Sequence, residues 1–209
     1  MVIKFKCSKC LRVLAVRDED AGKKTKCPRC ETFLRIPGAP AKAQVPGSTA
    51  LHEAAEKGDA GAAEKLLTVG ADVNARNREG RTALHLAANV RVAMLLLEKG
   101  ADVKAKSNNG ETPLHVAASW GRRDVGETLV EAGADLNSQT NAGKTPLHNA
   151  AMAAHADMVE FLVQEGANMK VKASDGWTAL DVAKWGVSAG ENVAYKKVLE
   201  VLTGQMLKE

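Results

Sequence analysis

Five stretches, GSTALHEAA, GRTALHLAA, GETPLHVAA, GKTPLHNAA and GWTALDVAK, share one pattern and place Thr49, Thr82, Thr112, Thr145 and Thr178 at steps of 33, 30, 33 and 33 residues. A second motif returns after each of the first four, as VGADVNA, KGADVKA, AGADLNS and EGANMKV. A period of this length means that each copy is one supersecondary unit, which cannot bury its apolar face alone and is stable only when stacked on neighbours. The chain from Gly47 onward is therefore expected to form a one-dimensional array.

Each copy spells out its own local structure. Thr followed by Ala or Pro, then Leu-His, starts a short inner helix: Thr is a good capping residue, and Pro113 or Pro146 suits the first turn because the N–H it lacks would be unpaired there. The Ala pair lets the neighbouring copy approach closely. A Leu/Val run then forms an outer helix, and Gly70, Gly100, Gly133 and Gly166 suit the left-handed position that ends it. With aromatic residues at 3%, the core has to be built from Ala, Leu and Val.

On these motifs residues 47–205 resemble the ankyrin repeat family. The resemblance implies a mainly α fold, an ankyrin repeat solenoid of about five helix-turn-helix repeats with β-hairpin-like fingers. The repeats fall at about 47–79, 80–109, 110–142, 143–175 and 176–205 of a domain spanning 47–209, with capping units at both edges. At the carboxy-terminal edge an apolar face of Val198, Leu199 and Leu202 turns inward while Lys196, Lys197 and Glu200 face outward. His52, His85, His115 and His148 share one motif slot, for which the resemblance implies a structural hydrogen bond near the Thr hydroxyl. His155 falls in the turn between inner and outer helices. No histidine is left over for catalysis, and the chain shows no Gly-rich phosphate loop and no nucleophile elbow. An enzyme, a catalytic residue and a small-molecule substrate are therefore not expected.

The function implied instead is binding of a protein partner by the finger tips and the concave face of the inner helices. The fingers offer Arg78, Arg81, Asn108, Asn109 and Lys144 among mildly basic neighbours, which favours an acidic partner surface. Trp120, Met152, Trp177 and Trp185 are large side chains at variable positions near the inner-helix ends or on a finger, and Trp is enriched among residues that anchor interfaces. For Trp177 and Trp185 a structural role in closing the carboxy-terminal end of the array stands beside the binding role.

One copy is irregular. Between the Ala pair and the outer helix three repeats have six residues, EKGDAG, SWGRRD and MAAHAD, whereas the second has NVR, Asn89 to Arg91. A continuous helix would break the stack, so Asn89, which tolerates a left-handed conformation, is expected to make a tighter turn after a shortened inner helix. The result would be a dip in the concave wall beside Trp120.

The chain before the array is different in kind. Residues 1–37 hold ten Lys/Arg against four Asp/Glu, a balance of +6, while residues 38–209 balance at −2. All four cysteines lie in this first part, as CSKC (Cys7, Cys10) and CPRC (Cys27, Cys30) with sixteen residues between the pairs. Cys-x2-Cys twice at this separation is the spacing of a closed tetrahedral site with four thiolates on one structural Zn²⁺. Paired redox motifs would need a βαβ setting that so short a segment cannot supply, and disulfides would need an oxidising compartment. The segment resembles the small zinc ribbons that begin many bacterial proteins. The resemblance carries the four cysteines over as zinc ligands and implies a β zinc ribbon at 1–37, with a β-hairpin after the first cysteine pair, joined by a linker at 38–46.

Ribbons of this kind dock proteins or bind nucleic acid. Here Lys23, Lys24, Lys26 and Arg29 could meet phosphates, so a nucleic-acid-associated factor is the alternative to a two-module protein adaptor. A Pro/Ala/Gly-rich linker, the absence of a long apolar run and the absence of an apolar signal region lead to an expectation of a cytoplasmic protein that makes no contact with membrane.

Overall fold

The motifs become elements where their capping chemistry says they should. The computed structural model of this protein describes residues 2–6, 13–17, 24–26, 30, 33–35, 47–188 and 193–206. It divides into two compact units, Met1–Val45 and Pro46–Glu209.

In the first unit, β1 (Val2–Lys6) pairs antiparallel with β2 (Val13–Arg17), and β3 (Lys24–Lys26) pairs antiparallel with β4 (Phe33–Arg35). The registers close on Lys6 opposite Val13 and on Lys26 opposite Phe33. The strand expected to begin a hairpin after the first cysteine pair instead pairs with a strand that precedes it. Cys7, Cys10 and Cys27 lie outside the described residues, and Cys30 sits half-buried in a turn.

The second unit is mainly helical and has two layers. The inner layer holds α1 (Gly47–Lys57), a 3-10 helix at Ala83–Leu86, α4 (Pro113–Ser119), α6 (Pro146–Met152) and α8 (Ala179–Ser188). The outer layer holds α2 (Ala60–Thr68), α3 (Val90–Glu98), α5 (Arg123–Glu131), α7 (Ala156–Gln164) and α9 (Val193–Met206). Between the layers runs one continuous core. The motif leucines Leu51, Leu84, Leu114 and Leu147 meet Leu96, Leu129, Leu162 and Leu202 from the outer helices, with Ala55, Ala87, Ala118, Ala151 and Ala183 where inner helices approach one another. Val198 and Leu202 of α9 are fully buried, so the last helix packs by the apolar stripe its sequence shows. Gly70, Gly100, Gly133 and Gly166 end the outer helices with φ between 85° and 95°, left-handed as their position requires.

The fingers are not β-hairpins: among the described residues of the array no strand forms. Each finger closes on itself with two backbone bonds: Asn77 N–H donates to Arg81 O and Gly80 N–H to Asn77 O in the first, and Ser107 with Gly110, Thr140 with Gly143 and Ala173 with Gly176 repeat the pair. Pairing goes sideways instead, since Asn108 N–H donates to Glu79 O, Asn141 N–H to Asn109 O and Ser174 N–H to Ala142 O, each at 2.9 Å. This close stitching explains two glycines. Gly80 and Gly110 have φ of 73° and 77°, and a Cβ on either would stand 2.8 Å from the next finger's amide nitrogen.

The second repeat keeps its place by shortening. Its inner helix is a 3-10 turn of four residues, where α4 and α6 have seven. Asn89 does not take the left-handed conformation: it is extended, with φ −150° and ψ 166°, and its side chain accepts a 3.0 Å bond from Val92 N–H. The three missing residues come out of the inner helix: as in the third and fourth repeats, three residues still separate it from the outer helix, and the last of them, Asn89, caps that helix.

Candidate protein-binding surface

Two ladders of hydrogen bonds hold the inner helices at fixed spacing and thereby build the concave face. The first is made by the motif histidines. Nδ1 of His85, His115 and His148 accepts from the backbone N–H of Thr82, Thr112 and Thr145 at 3.1, 3.1 and 3.2 Å. A backbone N–H can only donate, so the ring proton sits on Nε2, and Nε2 donates forward to the carbonyls of Glu111, Lys144 and Trp177, each at 3.0 Å. His52 reaches Arg81 O in the same way at 2.9 Å. Every histidine of the motif thus joins one inner helix to the next finger, and their common slot is structural. Burial pushes the pKa of His85 down to about 4, and it lowers those of His115 and His148.

In the fifth copy the slot holds Asp181, whose carboxylate accepts from Thr178 N–H at 3.0 Å and from its hydroxyl at 2.7 Å. The Thr178 hydroxyl, then its amide, hold that carboxylate below its usual range. The aspartate carboxylate makes the backward bond and has no proton for a forward one.

The second ladder runs along the turns. Each repeat reaches back to a carbonyl at the end of the preceding inner helix: Asn89 Nδ2 to Gly58 O at 3.0 Å, Arg122 to Ala87 O at 2.9 Å and Leu86 O at 3.3 Å, His155 Nε2 to Ser119 O at 3.2 Å, and Tyr195 hydroxyl to Met152 O at 2.6 Å. Of this ladder the sequence indicated the positions of Asn89 and His155 in their turns. Arg122 and Tyr195 carry no motif signature and were missed.

On this frame the residues singled out from sequence separate into two groups. Trp120, Met152, Trp177 and Trp185 are all exposed, at 38, 44, 39 and 55%. Met152 and Trp185 end the same stripe of the inner layer, each four residues after the motif slot held by His148 and Asp181. Trp177 from the finger meets Trp185 edge to face, with ring centroids 6.4 Å apart. Trp120 ends α4, and the Arg122 guanidinium lies 4.1 Å over its ring. Lys144 is half-buried and points its Nζ at the Met152 sulfur, 3.6 Å away.

Among the polar candidates, Arg78 and Asn109 are exposed. Arg81 is engaged inside the array, with ion pairs to Glu79 at 3.1 Å and Glu111 at 3.0 Å. The Asn108 side chain donates to Arg78 O at 3.0 Å and so also stitches fingers. The exposed basic finger residues are Arg76, Arg78, Lys104, Lys106, Lys170 and Lys172.

No helix among the described residues is long and apolar enough to cross a membrane. Family models agree with the repeat architecture. A model of ankyrin repeats in three copies matches residues 8–107 and 51–140, and a model of ankyrin repeats in many copies matches residues 129–183. The first of these spans begins in the cysteine segment, where the described elements are strands; the helical repeats begin at Gly47.

Proposed function

We propose that this chain, which belongs to the ankyrin repeat family, is a non-enzymatic adaptor that binds an acidic protein surface through the concave face and fingers of its array. Ankyrin repeats are in general protein–protein interaction modules. The observation that carries the reading is the exposure of Trp120, Met152, Trp177 and Trp185 beside inner helices whose motif leucines Leu51, Leu84, Leu114 and Leu147 are buried. Bare indole and thioether surface at this density is a usual mark of an interface, and basic fingers beside it supply charge complementarity to an acidic rim.

The test is affinity capture with the array as bait, in wild type and as Trp185→Ala and Trp120→Ala. A partner retained by wild type, lost by about 30-fold or more with either variant at unchanged helicity and Tm, supports the reading. Equal capture by all three would overturn it.

For the first unit the reading is a structural zinc ribbon that acts as a second docking module. Its described strands suit the spacing: the register leaves residues 7–12, with Cys7 and Cys10, between β1 and β2, and residues 27–32, with Cys27 and Cys30, between β3 and β4. Two hairpin connections, each bearing a Cys-x2-Cys, are the donor arrangement a tetrahedral ion needs, and four thiolates leave no open position for catalysis. One zinc per chain is expected on metal analysis, falling to a residual level in Cys27→Ser/Cys30→Ser.

A second reading has one observation behind it: Lys24 pairs with Arg35 in the register, and Lys26 lies two residues on, concentrating positive charge in one hairpin. Such a hairpin suits a phosphate backbone. Steeply salt-dependent retention on DNA or RNA, abolished by Lys23→Ala/Lys24→Ala/Lys26→Ala, is its expected signature; no retention at low salt excludes it.

A further inference from the structure

The contacts between successive repeats are nearly alike along the fingers and differ sharply elsewhere. Between the first and second repeats, the turn after the shortened inner helix bonds backward. Ala88 N–H donates to Ala55 O at 3.0 Å and Asn89 Nδ2 to Gly58 O at 3.0 Å. At the other end of the outer helices, Asn74 clips the same two repeats, accepting from Asp102 N–H at 2.8 Å and donating to Gly100 O at 3.0 Å. Between the third and fourth repeats the corresponding clip is Asn137, which accepts from Asn168 N–H at 2.8 Å. There Asn149 adds buried bonds to His115 O at 3.3 Å and Ser119 Oγ at 3.1 Å.

Between the second and third repeats both devices fail. The position of Asn74 and Asn137 is held by Lys104, which is exposed, and a cleft of about 410 Å³ lies there, lined by Lys104, Lys106, Asn137 and Gln139. Its one side-chain crossing among the described residues is Lys106 Nζ to Gln139 O, exposed and 3.3 Å long. At the turn end lies a cleft of about 420 Å³, lined by Asn89, Val90, Arg91, Arg122 and Arg123. Among the described residues the Arg122 side chain alone bonds across it, gripping the carbonyls of Leu86 and Ala87 at the end of the 3-10 helix. The finger row is intact, through His85 to Glu111 O at 3.0 Å, Asn141 N–H to Asn109 O at 2.9 Å and the Arg81–Glu111 pair at 3.0 Å.

We infer that the junction between the second and third repeats is a hinge: residues 47–104 and 112–188 open from one another as two blocks about the finger row, with Arg122 as the strap across the gap. In a stack whose stability is a sum of repeat and nearest-neighbour terms, the weakest interface is where cooperativity divides. Opening there would alter the curvature of the concave face next to Trp120, which stands on the third-repeat side. The hinge is independent of whether the array serves as an adaptor.

Native-state hydrogen exchange on the full chain tests it. The amides of α1, α2 and α3 are expected to share one opening rate, at least tenfold above that of α4 to α7, with a step between Glu98 and Pro113. Lys104→Asn, which supplies the missing clip, is expected to slow exchange in α1–α3 by roughly tenfold. Arg122→Ala is expected to speed it by a similar factor while α5–α7 stay unchanged. Simple fraying would give a gradient that falls off from the first repeat alone. Such a gradient, a single common rate throughout, or a Lys104→Asn chain that exchanges like wild type would each overturn the hinge.

Discussion

The junction between the third and fourth repeats and the one between the second and third are built from the same motif, yet they meet by different means. In the former an α-helix of seven residues, an Asn clip, a turn histidine and the buried Asn149 act together. In the latter a four-residue 3-10 helix, an exposed lysine and one long arginine take their places. Both share the histidine ladder and the finger row. Removing three residues therefore did not break the solenoid, because the fingers and the histidines carry the register while the turn and the outer loops supply tightness. Register and tightness are separable in this array.

The largest expected effect tests the shared part. His85, His115 and His148 must each be neutral, since Nδ1 accepts a backbone N–H while Nε2 donates. The folded pKa values lie below the unfolded value of about 6.5, so between that pH and the folded value the unfolded chain binds protons the folded chain refuses. The stabilisation is full above about pH 6.5 and is lost as pH falls toward the folded values, about 4 for His85. Each histidine contributes a slope of up to about 1.4 kcal/mol per pH unit in that window. Urea unfolding at pH 7 and pH 5 should show this loss, and His115→Gln should flatten the slope by one proton. An unchanged slope would show that the ladder is not the titrating element.

Next in size are the finger glycines. Gly80→Ala and Gly110→Ala each force an L-residue to positive φ and put Cβ against a neighbouring amide, which is expected to cost about 2–3 kcal/mol by denaturant unfolding. Equal losses would show that the finger row is alike at successive junctions; a clearly smaller loss for Gly110→Ala, whose Cβ would meet Asn141, would mean that the row yields at the hinge.

The turn latches should then separate the junctions. Arg122→Ala leaves two helix-end carbonyls without their partner and strips the cation from the Trp120 ring, an expected loss of about 1–2 kcal/mol. His155→Ala, with the Asn clip and Asn149 still in place, should cost less. Arg122→Lys should recover only part of the loss, because an ammonium cannot stack flat on the indole while reaching both carbonyls. The reverse order of the two alanine variants would break the comparison.

Smallest is a gain. Ala154 has φ 57° where the first and third repeats have Gly58 and Gly121, so Ala154→Gly should raise stability by about 0.5–1 kcal/mol, read as a higher Tm.

Much of the array is legible in its sequence for local reasons. Threonine at a helix start, proline in the first turn and glycine at a left-handed helix end act within a few residues, and all behave as their motif requires. What failed were inferences about where a backbone group finds its partner. The fingers looked like hairpins because each is a short loop closed on itself, but no strand forms among their residues, and an amide at each later tip donates to the preceding finger. Asn89 looked like a left-handed turn residue because its own preferences permit that, and its position as cap of α3 prevailed. The described strands of the first unit likewise pair around the cysteine connections, a choice of partner that alternation alone does not make.

The candidate site divides in the same way. Trp120, Met152, Trp177 and Trp185 could be chosen from sequence because they interrupt a periodic pattern with large side chains. Arg81 and Asn108 were chosen with them, on charge and polarity, yet both stitch fingers. Arg122 was passed over as a surface cation. A long side chain acquires its role from whichever carbonyl or ring lies within reach, and that is fixed only when the repeats stack.

By itself, then, the sequence determined the repeat, its helices, its caps and the histidine slot, since each arises from interactions a few residues long repeated at a fixed period. Tertiary structure decided which neighbour each repeat holds tightly and which loosely. A deletion of just under one turn and one lysine in place of asparagine have no energetic meaning until the next repeat lies across from them.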